Sequence, residues 1–368
     1  PSSAASDVYK RQVYKDNITL SYKDGEHSIR VRVFDEAGNM AEECLIFYVD
    51  TQPPVIMDIQ PENGSYQASN TLTISWRASD SCGIDHAIVA IDGASEYWVD
   101  NSSIVVWLDE GIHTVTITVY DMANRTDRGN VEFTVDVTSP YVEVLQPANG
   151  SRQMDYLVVE WVSSDGLSGV SKVEILVDGD VYATFYEANG SETIFLDPGE
   201  YEICVRAYDG AGNYGDAVVT VFMVYIKILE PEQNSNISTD QIQVLWECLY
   251  IDKVSIYVDG AYLYTEDGDV GQAVVTVDDE GRVNITIVDY EDSRFYDSIV
   301  VNVDFNPPYI NVYLGKYYNT TEVDICWSAV DEMTGVAESE VYANGTLVYR
   351  GDKNSTKASL GAVSYTHL

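Results

Sequence analysis

The alternation of apolar and polar residues is the clearest feature of this chain. Within residues 71–78, Leu72, Ile74 and Trp76 share one face, and Thr and Ser side chains share the other. A period of two predicts a β-strand with one buried and one solvated face. Seven such runs follow one another in one segment, at residues 55–60, 71–78, 87–91, 95–99, 104–108, 114–120 and 131–135. Short strands separated by frequent turns predict an all-β sandwich.

Landmark residues recur along the chain at a nearly fixed distance. Trp76, Trp161, Trp246 and Trp327 follow one another at steps of 85, 85 and 81 residues, and Asp-Gly or Asn-Gly hairpin turns begin at residues 92, 178, 259 and 344. A fixed period indicates a repeated structural unit. The predicted units are the back half of one at 13–50 (unit 1), three whole units at 51–136, 137–222 and 223–304 (units 2 to 4), and the front half of another at 305–362 (unit 5).

The two ends of the chain differ in character from the repeats. One short DNA word and its reverse complement encode both residues 7–12 and residues 363–368, in different frames. We therefore interpret residues 1–12 and 363–368 as translated sequencing-adapter sequence, and we leave them out of the fold prediction. The expected natural part, roughly residues 13–362, is an internal fragment of a longer protein.

The repeated motifs carry a resemblance to a known family. They include Pro-Pro linkers at residues 53 and 307, a tryptophan in each second strand, and Tyr-Asp-Gly-Ala-Gly-Asn at residues 208–213. These motifs resemble those of tandem bacterial and archaeal immunoglobulin-like repeats, which are similar to fibronectin type III domains. The resemblance implies seven-stranded β-sandwiches in an extended array, of the kind found in surface, adhesion and secreted proteins.

The same resemblance suggests which residues form the structural core. Trp76, Trp161, Trp246 and Trp327 are the predicted core anchors. Tyr201 resembles the tyrosine corner, in which a phenol is tethered to upstream backbone of its own strand crossing. His27 and His113 take that place in two other units, and Val283 takes it in a fourth. The tether is therefore not expected to be uniform.

Composition narrows the classes of partner. The formal net charge is -40, from 60 acidic and 20 basic residues, which disfavours nucleic acid and anionic lipid. We expect no membrane span in this segment, because it lacks an apolar run of about 18 residues. Other surface proteins or polysaccharide are the partners that the family resemblance implies, and the pattern leaves the oligomeric state open. The acidic charge fits a surface protein, salt adaptation or uptake of divalent cations.

N-glycosylation is the most informative site signal. The sequence Asn-x-Ser/Thr occurs at 11 of the 19 asparagines. These are Asn17, Asn63, Asn101, Asn124, Asn149, Asn189, Asn236, Asn284, Asn319, Asn344 and Asn354. Four of them, at residues 63, 149, 189 and 344, begin Asn-Gly-Ser or Asn-Gly-Thr, which also makes a good turn without any glycan. We predict that the sequons are used, which implies export and a host with N-glycosylation, such as an archaeon.

Calcium at the linkers is a second hypothesis. Asp50, Asp136 and Asp304 lie in linkers, and Asp35, Asp121, Asp209 and Asp289 lie in turns that could meet the same junctions. Calcium binds several oxygen ligands at one point, and a junction between domains can supply them. However, the chain has no Asp-x-Asp-x-Asp-Gly loop, and Asp before a turn also caps its own backbone. The turn interpretation is favoured, so the expected cofactor is none, with Ca²⁺ as the alternative.

Catalysis finds little support in the sequence. The chain has no Gly-x-Ser-x-Gly, His-Glu-x-x-His or phosphate-loop motif, so we predict that it is not an enzyme. Aromatic residues at 97, 98 and 107, and at 257, 262 and 264, could form sugar-stacking platforms, although cross-strand aromatic pairs are ordinary in sheets. The five cysteines read as free thiols, with Cys204 and Cys326 expected to point outward and an inter-chain bridge left open.

The function predicted from the sequence is mechanical or adhesive. The chain is interpreted as a stiff, glycosylated spacer or presenting surface of an exported protein, because linkers this short do not behave as flexible coils. Two alternatives stay open. One is an accessory array, spacing or polysaccharide-binding, of a secreted hydrolase; the other is a calcium-dependent adhesin.

Overall fold

A computed structural model describes residues 17–314, 323–343, 345–352 and 358–360. Every regular element in these ranges is a β-strand. They contain no helix long and apolar enough to cross a bilayer. Both predicted adapter segments lie outside the described residues, as do Asn319, Asn344 and Asn354.

Unit 1 is a long antiparallel hairpin. Its strands are β1 (Gly25–Phe34) and β2 (Met40–Val49). Val31 and Val33 on β1 are 52% and 63% exposed, whereas Ile117 and Val119, which hold the same places in unit 2, are fully buried. The difference arises because the described part of unit 1 has no second sheet to cover this face.

Unit 2 is a sandwich of two sheets. Its strands are β3 (Val55–Gln60), β4 (Tyr66–Gln67), β5 (Thr71–Ser79), β6 (Ile84–Ile91), β7 (Ser95–Val99), β8 (Ser103–Trp107), β9 (Gly111–Asp121) and β10 (Thr126–Val135). One sheet has the order β3-β5-β8 and the other has β4-β10-β9-β6-β7. The alternating residues of each strand turn one apolar face inward, which gives the sandwich a single core.

Units 3 and 4 repeat this topology strand for strand. Unit 3 contains β11 (Tyr141–Gln146), β12 (Ser151–Gln153), β13 (Leu157–Ser164), β14 (Val170–Val177), β15 (Asp180–Phe185), β16 (Gly190–Ile194), β17 (Gly199–Asp209) and β18 (Tyr214–Met223). Unit 4 contains β19 (Tyr225–Glu230), β20 (Asn236–Ile237), β21 (Gln241–Leu249), β22 (Lys253–Val258), β23 (Ala261–Asp267), β24 (Val270–Thr276), β25 (Gly281–Asp289) and β26 (Tyr296–Val303). Each again divides into a three-stranded and a five-stranded sheet.

The described part of unit 5 supplies the first strands of the same plan. These are β27 (Tyr309–Tyr313), β28 (Val323–Val330), β29 (Glu338–Ala343), β30 (Thr346–Asp352) and β31 (Ala358–Leu360). β28 pairs with β27 and β31, and β29 pairs with β30.

The first strand of each whole unit is split, which the sequence pattern did not predict. In unit 2, β3 pairs with β5 in one sheet, while the two-residue β4 crosses to the other sheet and pairs in parallel with β10. β12 and β20 do the same in the next two units. Strands this short carry no recognisable alternation, since two or three residues cannot show a period.

Each whole unit has its own buried core around its tryptophan. Trp161 and Trp246 are 1% and 0% exposed, and Trp76 and Trp327 are each 5% exposed. The cores of units 2, 3 and 4 form separate clusters of buried side chains.

Cys204 lies on the outer face of β17, as expected, but its thiol is covered. The side chain is only 7% exposed, so it is not available for a bridge between chains without local opening. Burial raises the pKa of this thiol, which reduces its reactivity further. All five cysteines are unpaired.

Candidate functional site at the domain junctions

The linker between units 2 and 3 is hydrogen-bonded to both sandwiches. From unit 2, the carboxylate of Glu110 accepts the main-chain N–H groups of Val137 and Thr138, at 3.1 and 3.0 Å, and the Thr138 hydroxyl at 3.0 Å. The hydroxyl bond is the main reason why the pKa of Glu110 is lowered. From unit 3, the Asn213 side-chain amide donates to the carbonyl of Asp136 at 2.8 Å. The linker is thus fixed from both sides.

The linker between units 4 and 5 is held in the same way. Glu280 accepts the N–H groups of Phe305 and Asn306, at 2.9 and 2.6 Å. Asp304 accepts the Thr334 N–H at 3.1 Å and its hydroxyl at 2.6 Å. Glu280 occupies in unit 4 the place that Glu110 occupies in unit 2, just before the glycine that opens β25 or β9.

Three carboxylates converge beside the linker between units 2 and 3. Asp136, Asp165 and Asp209 each place an oxygen within 4.8 Å of the others. Asp136 is fully buried and Asp209 is 2% exposed. Backbone N–H groups orient them: Asp136 accepts Ser168, and Asp209 accepts Asn213 through the turn after β17. The predicted pair of Asp136 and Asp209 is therefore together in the structure, with Asp165 as a third member.

The junction between units 1 and 2 has a related arrangement. Asp50 and Asp80 approach the Cys82 thiol with the same 4.8 Å spacing, while Asp121 lies outside that group. Asp121 is 1% exposed, and the Oδ2 atoms of Asp50 and Asp121 are buried without a hydrogen-bond partner among the described residues. Arg125 connects the two residues, because its N–H donates to Asp121 and its Nε to the carbonyl of Asp50.

The remaining aspartates of the calcium hypothesis have different surroundings. Asp35 is exposed and caps its own turn, accepting the N–H groups of Ala37 and Asn39 and the Asn39 amide. Its bonds with Asn39 lower its pKa. In unit 4, Asp289 forms an ion pair with Arg152 of unit 3, at 2.7 Å.

Asp80 and Asp165 are the residues that sequence reasoning missed. Each lies at the turn between the second and third full strands, ahead of a glycine with positive φ, Gly83 or Gly169. Asp331 precedes Gly335 in the same way in unit 5. A repeated Asp at this turn was a visible signal, although a sequence alone cannot place it beside the linker.

The eight described sequon asparagines are all exposed. They are Asn17, Asn63, Asn101, Asn124, Asn149, Asn189, Asn236 and Asn284. Three that begin Asn-Gly turns also have a structural role: Asn63, Asn149 and Asn189 accept a main-chain N–H from another strand, at 2.8–2.9 Å. For these three the turn interpretation has direct structural support, and glycan attachment remains a prediction at all eight.

The hydrogen bond that tethers the strand crossing differs between units, as predicted. The Tyr201 hydroxyl donates to the carbonyl of Asp197 at 3.1 Å. In unit 2, His113 Nε2 lies 2.8 Å from the carbonyl of Asp109, and its Nδ1 lies 2.8 Å from the Asp92 carboxylate. Burial opposes a charge on His113, but the hydrogen bonds to Asp92 and Asp109 outweigh it and raise the pKa of the imidazole.

The aromatic residues proposed for sugar stacking do not come together as two three-residue platforms. Tyr97 and Trp98 are neighbours on β7 and point to opposite faces, and Trp107 belongs to the other sheet. Trp98 stacks on His86 with ring centroids 3.5 Å apart and is 64% exposed. In unit 4, Tyr257 and Tyr262 form an edge-to-face pair with ring centroids 5.8 Å apart, whereas the Tyr264 ring packs against the core.

Comparisons with known proteins return matches among solved structures of tandem domains. No family model matches the chain, and no curated protein matches it. Fibronectin(III)-like modules of CbhA from Clostridium thermocellum match with 19% identity and a TM-score of 0.36, over 46% of this chain and 94% of theirs. SGBP-B of the Bacteroides ovatus mixed-linkage glucan utilization locus, solved in complex with a mixed-linkage heptasaccharide, matches with 13% identity and a TM-score of 0.21, over 84% of this chain and 92% of that one. The ICAM-5 D1-D4 ectodomain fragment matches with 11% identity and a TM-score of 0.31, over 85% and 100%.

The strand topology of the described residues confirms the fold prediction. The chain is an all-β array of tandem immunoglobulin-like, fibronectin III-like sandwiches. The similarity to these solved structures carries no conclusion about what the chain does.

Proposed function

We propose that the chain is a stiff, non-catalytic spacer or presenting surface of an exported protein. The observation that carries the proposal is the hydrogen bonding of the linkers to the sandwiches on both sides. A flexible connection between domains would leave its polar backbone groups to water, and the domains would move independently. Here the linker at residues 136–138 is bonded by Glu110 from one side and by Asn213 from the other.

The junction between units 3 and 4 supports stiffness by another route. Its linker has no aspartate, and Val224 there is 3% exposed and packs into the core of unit 4. Met154 of unit 3 packs against the same core. Shared apolar packing with an ion pair across the junction restricts the angle between two sandwiches.

Export and glycosylation belong to the same proposal. Exposure of all eight described sequon asparagines supports it, since an acceptor asparagine must be reachable by the transferase. The large acidic excess supports a role in solvent at a cell surface. The aromatic residues at the surface give no comparable support to a polysaccharide-binding role, so the spacer is favoured over an accessory array of a hydrolase.

Small-angle scattering of the full chain tests the stiffness. We compare the parent with Glu110→Ala/Glu280→Ala, which removes the carboxylates that hold two linkers. The matched control is Glu96→Ala/Glu266→Ala, which removes two exposed carboxylates from the same two units. We expect a single narrow distribution of molecular dimensions for the parent and the control. The linker variant should show a broader distribution. A parent that already requires a wide ensemble of inter-domain angles, or a linker variant that scatters like its control, would overturn the proposal.

A further inference from the structure

Units 1 and 5 each have a free sheet edge among the described residues. In the whole units one long strand is paired on both sides: β9 lies between β10 and β6, β17 between β18 and β14, and β25 between β26 and β22. In unit 1 the corresponding strand, β1, is paired only with β2. In unit 5 the strand that corresponds to β6 is β29, and it is paired only with β30. Each of these two units therefore offers the strand that the other lacks as a neighbour.

The apolar faces beside these edges are open as well. On the hairpin of unit 1, Val31 and Leu45 are more than half exposed, although the same positions are buried in unit 2. In unit 5, Ile310 and Val312 on β27 are also more than half exposed. A cavity of about 330 Å³ is lined there by β27, β28 and β29. In unit 2 the side chains of β9 and β10 fill this place in the core.

We propose that the unit 1 hairpin of one copy docks on unit 5 of a second copy and completes its sandwich. β1 adds to the free edge of β29, and the hairpin turns its apolar face onto the cavity. In strand addition of this kind, main-chain hydrogen bonds give affinity and alternate side chains give specificity. Docking also covers two exposed apolar faces, which are the usual mark of an interface.

The strand pairing of unit 3 supplies the register of this contact. There, Val205 on β17 lies opposite Ile175 on β14, and Arg206 lies opposite Glu174. Arg206 also forms an ion pair with Asp216 on β18, at 2.7 Å. The sheet of unit 3 thus places an arginine between carboxylates on both neighbouring strands.

The same residue types stand at the equivalent places of units 1 and 5. Arg32 on β1 holds the place of the arginine, and its Nε donates to Glu42 on β2 at 2.6 Å. Glu340 on β29 holds the place of the opposing glutamate. The register of unit 3 therefore brings Arg32 opposite Glu340 and Val31 opposite Val341. Opposite charges across a strand pair are stabilising, and a shift of one residue would turn them to the core.

A second copy is the occupant that these surfaces fit. Within the described part of a single chain, no strand of unit 1 pairs with a strand of unit 5, and three complete cores lie between them along the chain. The net charge of -40 opposes non-specific association, so the contact depends on the free edges and the apolar faces. A docked pair keeps one free hairpin and one free unit 5, so association continues head to tail.

Two blocking variants test the inference on the full chain. Val31→Glu places a charge on the apolar face of the hairpin, and Val341→Glu places one in the cavity of unit 5. The matched controls, Ile46→Glu and Leu347→Glu, add the same charge to exposed residues of the same two units, outside these surfaces. Sedimentation velocity from about 1 to 100 μM reports the mass of each variant over the range of moderate affinities.

The parent and both controls should gain mass with concentration and reach at least about twice the monomer mass. Each blocking variant alone should stay monomeric. A mixture of the two blocking variants should form a dimer and grow no further, because one keeps an intact unit 5 and the other keeps an intact hairpin. In this mixture the amides of β29 in the Val31→Glu chain should exchange about tenfold more slowly than in that chain alone.

A parent that stays monomeric at every concentration would overturn the inference. So would a mixture that stays monomeric, or a Val31→Glu variant that assembles like its control. Assembly by Val341→Glu alone would indicate pairing between two identical hairpins, and would also overturn it. Recovery of the dimer on mixing shows that neither variant has lost its fold. Mass is measured without reference to inter-domain angles, so the result is independent of the spacer proposal.

Discussion

The contact between Trp161 and Gly190 gives a sharp test of the packing inside unit 3. The two residues lie opposite each other on β13 and β16. A Cβ atom added at Gly190 would lie 2.7 Å from Cζ2 and 2.9 Å from Cη2 of Trp161. Favourable carbon–carbon contacts are about 3.5–4.0 Å, and the indole is 1% exposed, so it has no free space to move into.

Gly190→Ala is therefore expected to destabilise unit 3. Overpacking a core of this kind costs about 1–3 kcal/mol. The φ of Gly190 is not in the left-handed region, so alanine is allowed there and recovers about 0.4–1 kcal/mol through reduced freedom of the unfolded chain. A net loss of about 1–2 kcal/mol should make hydrogen exchange of the core amides of unit 3 about 5–30 times faster.

Hydrogen exchange followed by mass spectrometry is the assay, because it reports on unit 3 separately from its neighbours. Gly166→Ala in the same unit is the matched control, since a Cβ there meets no atom within 4 Å. Trp161→Phe removes the atoms that clash with the new Cβ. The double variant with Gly190→Ala should therefore lose less unfolding free energy than the sum of the two single variants, by at least about 0.5 kcal/mol. Gly190→Ala exchanging at the parental rate, or strict additivity in this cycle, would refute the packing argument.

Three further outcomes follow from individual contacts. Arg152→Met should destabilise unit 4 by about 3–5 kcal/mol, measured by hydrogen exchange of β25 and β26, because it leaves a buried aspartate without its cation. Trp246→Phe should cost about 1–3 kcal/mol more than Trp161→Phe in urea melts, because the Trp246 indole N–H donates to a buried carbonyl at 3.1 Å, whereas that of Trp161 has no acceptor among the described residues. The pKa of His113 is raised above its ordinary 6.5, so its stabilising effect is complete below that pH and is lost as the pH rises through the folded-state pKa. His113→Tyr should flatten this dependence in thermal melts of unit 2 between about pH 6 and 8, and an unchanged slope would contradict the assignment.

The sequence alone determined the repeat and the class of fold. The strands could be predicted wherever the alternation ran for five or more residues, as on β5 with Leu72, Ile74 and Trp76 inward. The reason is that side chains on a strand point alternately to two faces, so burial of one face produces an alternating local sequence. The corner tether was equally local, since the Tyr201 hydroxyl bonds a carbonyl four residues upstream.

Features that depend on contacts between distant segments came only from the tertiary structure. The two-residue β4 has its partner on β10, near the other end of unit 2, and the outward face of Cys204 is covered by packing that no local pattern records. The acidic junction shows the same limit. Asp136 and Asp209 were named from linkers and turns, but Asp165 joined them only because the fold brings three loops to one end of the sandwich. Local sequence fixes the direction in which a side chain points, whereas three-dimensional packing decides what it meets.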